Sequence, residues 1–279
     1  MKTAVVTDST SYITQELREK LNIHMIPLSV IFGNESYKEE IEITAESFYE
    51  EVKHKDLPKT SQPSVGDFVT LFETLKQDYD AIISIHLSSG ISGTYQGAVS
   101  AGNMVEGITV YPFDSEISAR VQGFYVVKAA EMAADGKSPA EIMDKLNEMK
   151  QSIRAYFMVD DLSHLQRGGR LSSAQAILGS LLQVKPLLHF ENKLIVPFEK
   201  IRTRKKAMKR IVDLLAEDAA SGEAYEASII HANRLEEAQK WKEELEAQLP
   251  NVTFGISYFG AVIGTHLGEG SMGLGWVKK

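Results

Sequence analysis

The chain has 279 residues, 43% of them apolar and 24% charged, enough material for a sizeable core and for two domains. Its net charge of -8 argues against general attraction to nucleic acid or to anionic membrane, because the surface field has the wrong sign. With no cysteine, disulfides and thiolate chemistry are excluded, which fits a reducing, cytoplasmic setting.

The opening apolar run of MKTAVVTDST ends at Asp8, far short of a signal peptide, and no run elsewhere could span a bilayer, so stable membrane insertion is not expected. TAVVTD (Thr3 to Asp8) predicts a strand and ITQELREKLN (Ile13 to Asn22) a helix. HMIPLSVIFGNESYK predicts a strand, a Gly33-Asn34 turn and a returning strand. A helix from about Ala45 to Lys53 precedes KTSQPSVGDF (Lys59 to Phe68), where Ser64 caps the next helix and Asp67 stands in the capping-box position. YDAIISIHL and ITVYPFDS predict buried strands, with helical spacing between them in SGTYQGAVSAGNMV. SPAEIMDKLNEM predicts a helix capped by Ser138, with Pro139 first and Glu141 closing the box.

After about Gln151 the pattern changes. IRAYFMVDDL predicts a strand, and PLLHFENKLIVPFEKIR predicts two strands around a Glu191-Asn192 turn. Helices over Thr203 to Ala219 and Arg234 to Gln248 flank a strand in EASIIHA, and VTFGISYF is a late strand. The expectation is an α/β protein: residues 1–152 form a mainly parallel α/β/α domain and 153–279 an α+β domain. No long linker separates them, so a ligand cleft between them is expected.

Several stretches carry candidate chemistry. HLSSGISGTYQ (His86 to Gln96) follows a buried strand and opens a helix, where backbone amides and the hydroxyls of Ser88, Ser89 and Ser92 favour an anion; the plain alternative is helix capping. TSQPS is similar, a hydroxyl cluster that also reads as a turn before the Ser64 cap. GISGT invites a serine hydrolase with Ser92 as nucleophile and His86, His266 and Asp114 as triad candidates, but Thr94 stands where a nucleophile elbow needs glycine. The run Gly268-Glu269-Gly270-Ser271-Met272-Gly273 matches G-x-G-x-x-G formally, yet too little chain follows it to build a nucleotide-binding unit, and close backbone approach to a ligand or strand is the better reason for the glycines. LQRGGRLSSAQAILGSLLQVKPLL places Arg167 and Arg170 around a bend beside an apolar wall with Gly179 and Ser180, either core or pocket lining. EKIRTRKKAMKR concentrates basic residues from Lys200 to Arg210, either a solvated face or a docking surface for an acidic protein partner.

Taken together, VTDST, TSQPS, SSGISGTYQ, RGGRL and the terminal H-x-G-x-G-x-x-G resemble the DegV family over essentially the whole chain. The resemblance implies two α/β domains with one acyl chain buried in a tunnel between them. It also implies a non-catalytic role as the fatty-acid-binding subunit of bacterial fatty acid kinase, whose separate kinase subunit phosphorylates the bound carboxylate with ATP to give acyl phosphate for phospholipid synthesis. By resemblance Thr60, Ser61, Ser92 with the neighbouring Gly93 amide, and His266 form the carboxylate network, with Arg170 a further member. Arg202 is similar to an arginine that docks the kinase. No metal, nucleotide or covalent cofactor is implied, and no nucleic acid partner. The terminal loop departs from the family in reading Gly268-Glu269-Gly270, where proline often separates the glycines.

Overall fold

Strands buried along their whole length must be covered on both faces, and the first half of the chain is built on two of them. In the computed structural model, which describes residues 1–171 and 185–279, every residue of β1 (Thr3–Asp8) and β6 (Ala81–His86) is buried. With β2 (Ile23–Ile26) and β7 (Thr109–Asp114) they form a parallel sheet of order β2-β1-β6-β7. Phe68 and Phe72 of α3 (Val65–Leu75) and Ala98 of α4 (Thr94–Gly102) pack on one face through Val6 and Ile82. The other face, through Val5, Ile83 and Ile85, meets Phe124 and Val126 of α5 (Ala119–Ala134). A small antiparallel sheet of order β4-β3-β5 stands beside them, made of β3 (Ser29–Phe32), β4 (Glu35–Lys38) and β5 (Lys59–Ser61). The turn between β3 and β4 holds Gly33 at φ +59°.

The second half is one six-stranded sheet of order β10-β9-β8-β13-β11-β12. Its strands are β8 (Arg154–Met158), β9 (Lys185–Glu191), β10 (Leu194–Ile201), β11 (Tyr225–His231), β12 (Val252–Tyr258) and β13 (Met272–Lys278). All neighbours run antiparallel except β11 and β12. On one face Ile211 and Leu215 of α8 (Arg204–Ala219) and Trp241 of α9 (Leu235–Gln248) pack over Leu187, Ile229 and Trp276. The other face receives α5, which therefore lies between the two sheets and belongs to the core of both. Short helices α1 (Gln15–Lys20), α2 (Ala45–Glu51), α6 (Pro139–Met149), α7 (Ser163–Arg167) and α10 (Ala261–Leu267) complete the chain. Among the described residues no helix is long and apolar enough to cross a membrane.

The caps at Ser64 and Ser138 form as the spacing predicts, each with its reciprocal acid. The second hairpin turns at Asn192-Lys193, one residue later than predicted, because those two positions adopt the left-handed backbone (φ 48° and 71°) that a tight hairpin turn requires. Helices α5, α7 and α10 and strands β5 and β13 are not predicted. The AILGSLL part of the apolar wall, with Gly179 and Ser180, lies outside the described residues.

Where β13 crosses α5 there is room for hydrogen only: a Cβ on Gly275 would overlap Val121 Cγ2 and lie 3.0 Å from the Arg154 carbonyl. Gly275→Ala is expected to destabilise the protein by about 1–3 kcal/mol through this overpacking. Urea unfolding of the variant checks it; an unchanged midpoint would show that α5 can yield.

Candidate functional site

Between the two halves of the chain lies a cavity of about 240 Å³, several times the roughly 30 Å³ that one water occupies in the liquid. Both halves of the chain line it. Leu28, Leu87 and Ile91 come from the first, and Phe157, Phe190, Ile195, Ile230, Phe259 and Ile263 from the second. The wall is apolar except for one group of residues: Thr60, Ser61, Gln62, Ser92, Arg170 and His266, with Ser118 a further hydroxyl.

Each of these side chains is placed by a local rule. Thr60 and Ser61 lie on β5, whose pairing with Val30 and Ser29 of β3 fixes their direction. Ser92 precedes Gly93, the N-cap of α4, and its Oγ accepts the Thr94 amide at 3.3 Å and pairs with Thr94 Oγ1 at 2.8 Å. Gly93 is not part of the cavity wall. It is needed because the Gln62 side-chain oxygen occupies the space where a Cβ would stand. His266 is in the last turn of α10, with Nε2 2.8 Å from Thr60 Oγ1. Its Nδ1 is buried without a partner among the described residues, against Gly168, where a Cβ would overlap that nitrogen. Arg170 is held by backbone oxygens: Nε donates to Ile91 at 3.2 Å and Nη1 to Gly168 at 2.5 Å.

Burial lowers the His266 pKa to about 4, helped by the neighbouring charges of Arg170, Arg167 and His164. The imidazole is therefore neutral at pH 7, and among the described residues Arg170 is the one full charge in the cavity wall. The group can accept a carboxylate through hydroxyls, an imidazole and a guanidinium, without a close ion pair to every oxygen.

Two buried acids hold this site together. Asp8 ends β1 and is fully buried. Its Oδ1 accepts from the Thr10 amide (3.0 Å) and hydroxyl (2.6 Å). Its Oδ2 accepts from the amide of Leu87 at 3.0 Å and from Gln122 Nε2 at 3.2 Å, and lies 3.0 Å from His86 Nδ1. His86 Nε2 in turn lies 2.6 Å from Ser84 Oγ. Glu39, also fully buried, joins the first half to α10. It accepts from Ser9 Oγ (2.6 Å), Tyr12 OH (3.1 Å) and the Val262 amide at the start of α10 (2.7 Å). Burial raises the Glu39 pKa to about 7 against the opposing hydrogen bonds from Ser9 and Val262.

The other candidates are spent on structure. His86 and Asp114 do not reach Ser92: His86 faces Asp8 and Ser84, and Asp114 accepts from Ser89 and pairs with Lys193 at 2.9 Å. Ser88 donates to the Lys193 carbonyl at 2.7 Å and so fastens the β9-β10 hairpin, whereas Ser89 bonds Asp114; neither caps a helix. The terminal glycines lead into β13, not into a helix, and Gly268 and Gly270 have φ of 79° and 86°. In the basic segment Arg204 pairs with Glu237 and Asp160, Lys209 with Asp213, and Arg210 with Glu199 and Glu217. Arg202, Lys205 and Lys206 are exposed. Sequence reasoning missed Gln62 in the cavity wall and the anchoring acids Asp8 and Glu39. Among the described residues no group of three His, Asp or Glu converges as metal ligands do.

With this geometry in view the comparisons are specific. The model of the DegV family, described as uncharacterised, matches residues 2–279. Protein DegV of Bacillus subtilis (strain 168) is 64% identical over 281 residues, covering 100% of each chain. A crystal structure of DegV from Bacillus subtilis, described as a fatty acid binding protein, superposes with a TM-score of 0.96 at 64% identity, covering 100% of both chains. A fatty-acid-binding DegV family protein from Thermus thermophilus gives 0.93 at 30% identity, again covering 100% of both chains. On its sequence, its two sheets and the cavity between them, the chain belongs to the DegV family.

Proposed function

We propose that the cavity holds a single long-chain fatty acid, its carboxylate among Thr60, Ser61, Ser92, His266 and Arg170 and its tail along the apolar wall. The observation that carries this reading is a cavity wall that is mostly apolar and carries one cluster of polar side chains. Tail burial then contributes most of the affinity, at about 0.8 kcal/mol per methylene. The protein is itself non-catalytic. It presents the carboxylate to a partner kinase in the cytoplasm, and the acyl phosphate formed there feeds phospholipid synthesis. Residues 1–152 and 153–279 act as the two domains that enclose the tail. A serine hydrolase is the weaker reading, because Ser92 Oγ meets Thr94 rather than a histidine; a fluorophosphonate reagent is expected to leave Ser92 unlabelled.

Native mass spectrometry followed by organic extraction tests the carrier reading. One long-chain fatty acid per chain is the expected result, with at least about tenfold weaker retention in Ser61→Ala or His266→Ala if each loses one hydrogen bond to a charged group. A protein that is empty as purified and takes up neither oleate nor palmitate would overturn it.

The kinase part of the reading rests on Arg202, which is exposed on the segment between β10 and α8. Arg202→Glu is expected to leave fatty acid binding intact and to reduce turnover with the kinase subunit at low partner concentration, as charge reversal at an interface rim slows association. Unchanged turnover would remove Arg202 from the docking surface.

A further inference from the structure

The start of helix α5 gives the acyl cavity a polar point that the carboxylate-binding residues do not account for. Ser118, Ala119 and Val121 all stand in the cavity wall. The first turn of a helix leaves backbone N–H groups without intrahelical acceptors, and a serine at the N-cap ordinarily supplies one. Ser64 and Ser138 do so for α3 and α6. Ser118 holds the same position at α5, yet its side chain makes no bond to the helix. The backbone there is different: Ser118 has φ -154° and ψ -173°, and Ala119 follows at φ +60°, so the chain enters the helix through a bend. Among the described residues the amides of Ala119, Arg120 and Val121 meet no protein acceptor either.

Ser118 is only 8% exposed, and its hydroxyl has no partner among the described residues. The neighbouring Ser115 spends its own hydroxyl on the Ile117 carbonyl at 3.0 Å. Unlike the Tyr125 and Ser257 hydroxyls, which are sealed inside the protein without a partner, that of Ser118 opens on the cavity. No hydrogen bond joins it to Thr60, Ser61, Ser92, Arg170 or His266, whose contacts run through β5, the start of α4 and the ends of α7 and α10. A buried hydroxyl and a helix end left unpaired against methylene groups are costly, and few native groups are left so. A hydroxyl on the ligand satisfies both, since it accepts from an amide and exchanges a hydrogen bond with a serine.

We propose that the cavity is selective for a hydroxylated fatty acid, whose tail hydroxyl is held by Ser118 and the first-turn amides of α5 while its carboxylate stays with Thr60, Ser61, Ser92, His266 and Arg170. This rests on the fatty acid reading and names the substrate class within it. Ser118 is then a specificity-determining residue: a few placed polar groups in an apolar wall fix which ligand fits and in what register.

The test is competitive displacement of a fluorescent fatty acid from the purified full chain by stearate and by monohydroxystearates that differ only in the carbon bearing the hydroxyl. At least one isomer is expected to bind about tenfold tighter than stearate, the worth of a buried hydrogen bond otherwise left unmade. Isomers whose hydroxyl faces the apolar wall should bind more weakly than stearate. Ser118→Ala should abolish the preference by weakening the favoured isomer alone, and Ser118→Cys, closer in shape to the parent, should do the same. Ser61→Ala should weaken stearate and the favoured isomer by one factor and so leave the preference intact. Stearate binding as tightly as every isomer, or a preference unchanged in both Ser118 variants, would overturn the proposal and leave the carrier reading standing. An equal loss of stearate and the favoured isomer in the Ser118 variants would place Ser118 with the carboxylate and also overturn it. Failure of stearate and every isomer to bind would overturn the carrier reading as well.

Discussion

Replacing Asp8 by alanine should lower the free energy of unfolding by about 3–5 kcal/mol, the cost of breaking a buried charged network by removing one member. The carboxylate gathers donors from three places: Thr10 just after β1, Leu87 at the end of β6, and Gln122 in α5. All of these groups are buried, so none can turn to water when the acceptor is lost. Asp8→Asn should be nearly as damaging, because its NH2 would oppose either the Thr10 donors or the Leu87 and Gln122 donors. Urea unfolding measures the effect, and a loss below about 1 kcal/mol would place the network among ordinary solvent-replaceable hydrogen bonds. Leu87 lines the acyl cavity, so loosened acyl retention should accompany the lost stability.

Glu39→Gln and His266→Gln should tilt the pH dependence of stability in opposite directions. The folded state raises the Glu39 pKa from 4.5 to about 7, so the folded chain binds more protons than the unfolded one in that window. The stability contributed by protonated Glu39 is full below pH 4.5 and is lost as pH rises through 7. His266 does the reverse. Its pKa falls from 6.5 to about 4, so stability is lost as pH drops from 6.5 toward 4, when the unfolded imidazole protonates and the folded one does not. Each shift corresponds to about 3–4 kcal/mol. Measured against the parent protein, Glu39→Gln should therefore gain relative stability between pH 4.5 and 7, and His266→Gln should gain it as pH falls from 6.5 to 4. Paired denaturation curves across this range cancel the other titrating groups. Parallel profiles for parent and variant would show that the group in question does not titrate differently on folding. A fatty acid carboxylate beside His266 would raise its pKa, so loading should flatten the histidine slope and leave the Glu39 slope unchanged.

Elements with one apolar and one polar face, or with a capping signal at a fixed spacing, were legible in the sequence. The Ser64 and Ser138 caps belong to this class, because the cause of each lies within a few residues. Helix α5 was not legible, since contact with both sheets leaves it apolar on most sides and without periodicity. The same holds for α10, where six of seven residues are buried. Of the site residues, Thr60, Ser61, Ser92, Arg170 and His266 converge on one cavity, but only family resemblance grouped them, as they lie on separate elements. Glu39 sits in a stretch of charged residues that reads as solvated loop. Its role depends on α10 arriving more than two hundred residues later in the chain, and no local pattern records such an arrival.

The place of β13 in its sheet bears on synthesis. It lies between β8 and β11, so those two strands share no direct pairing and neither can complete its ladder until residues 272–278 have been made. At roughly 5–20 residues per second, β8 waits on the order of ten seconds with its pairing edge open. During that interval the nascent second half exposes strand edges and the apolar wall of an unfinished cavity. Those exposed edges make it the aggregation-sensitive stage of synthesis in a way the completed first sheet is not.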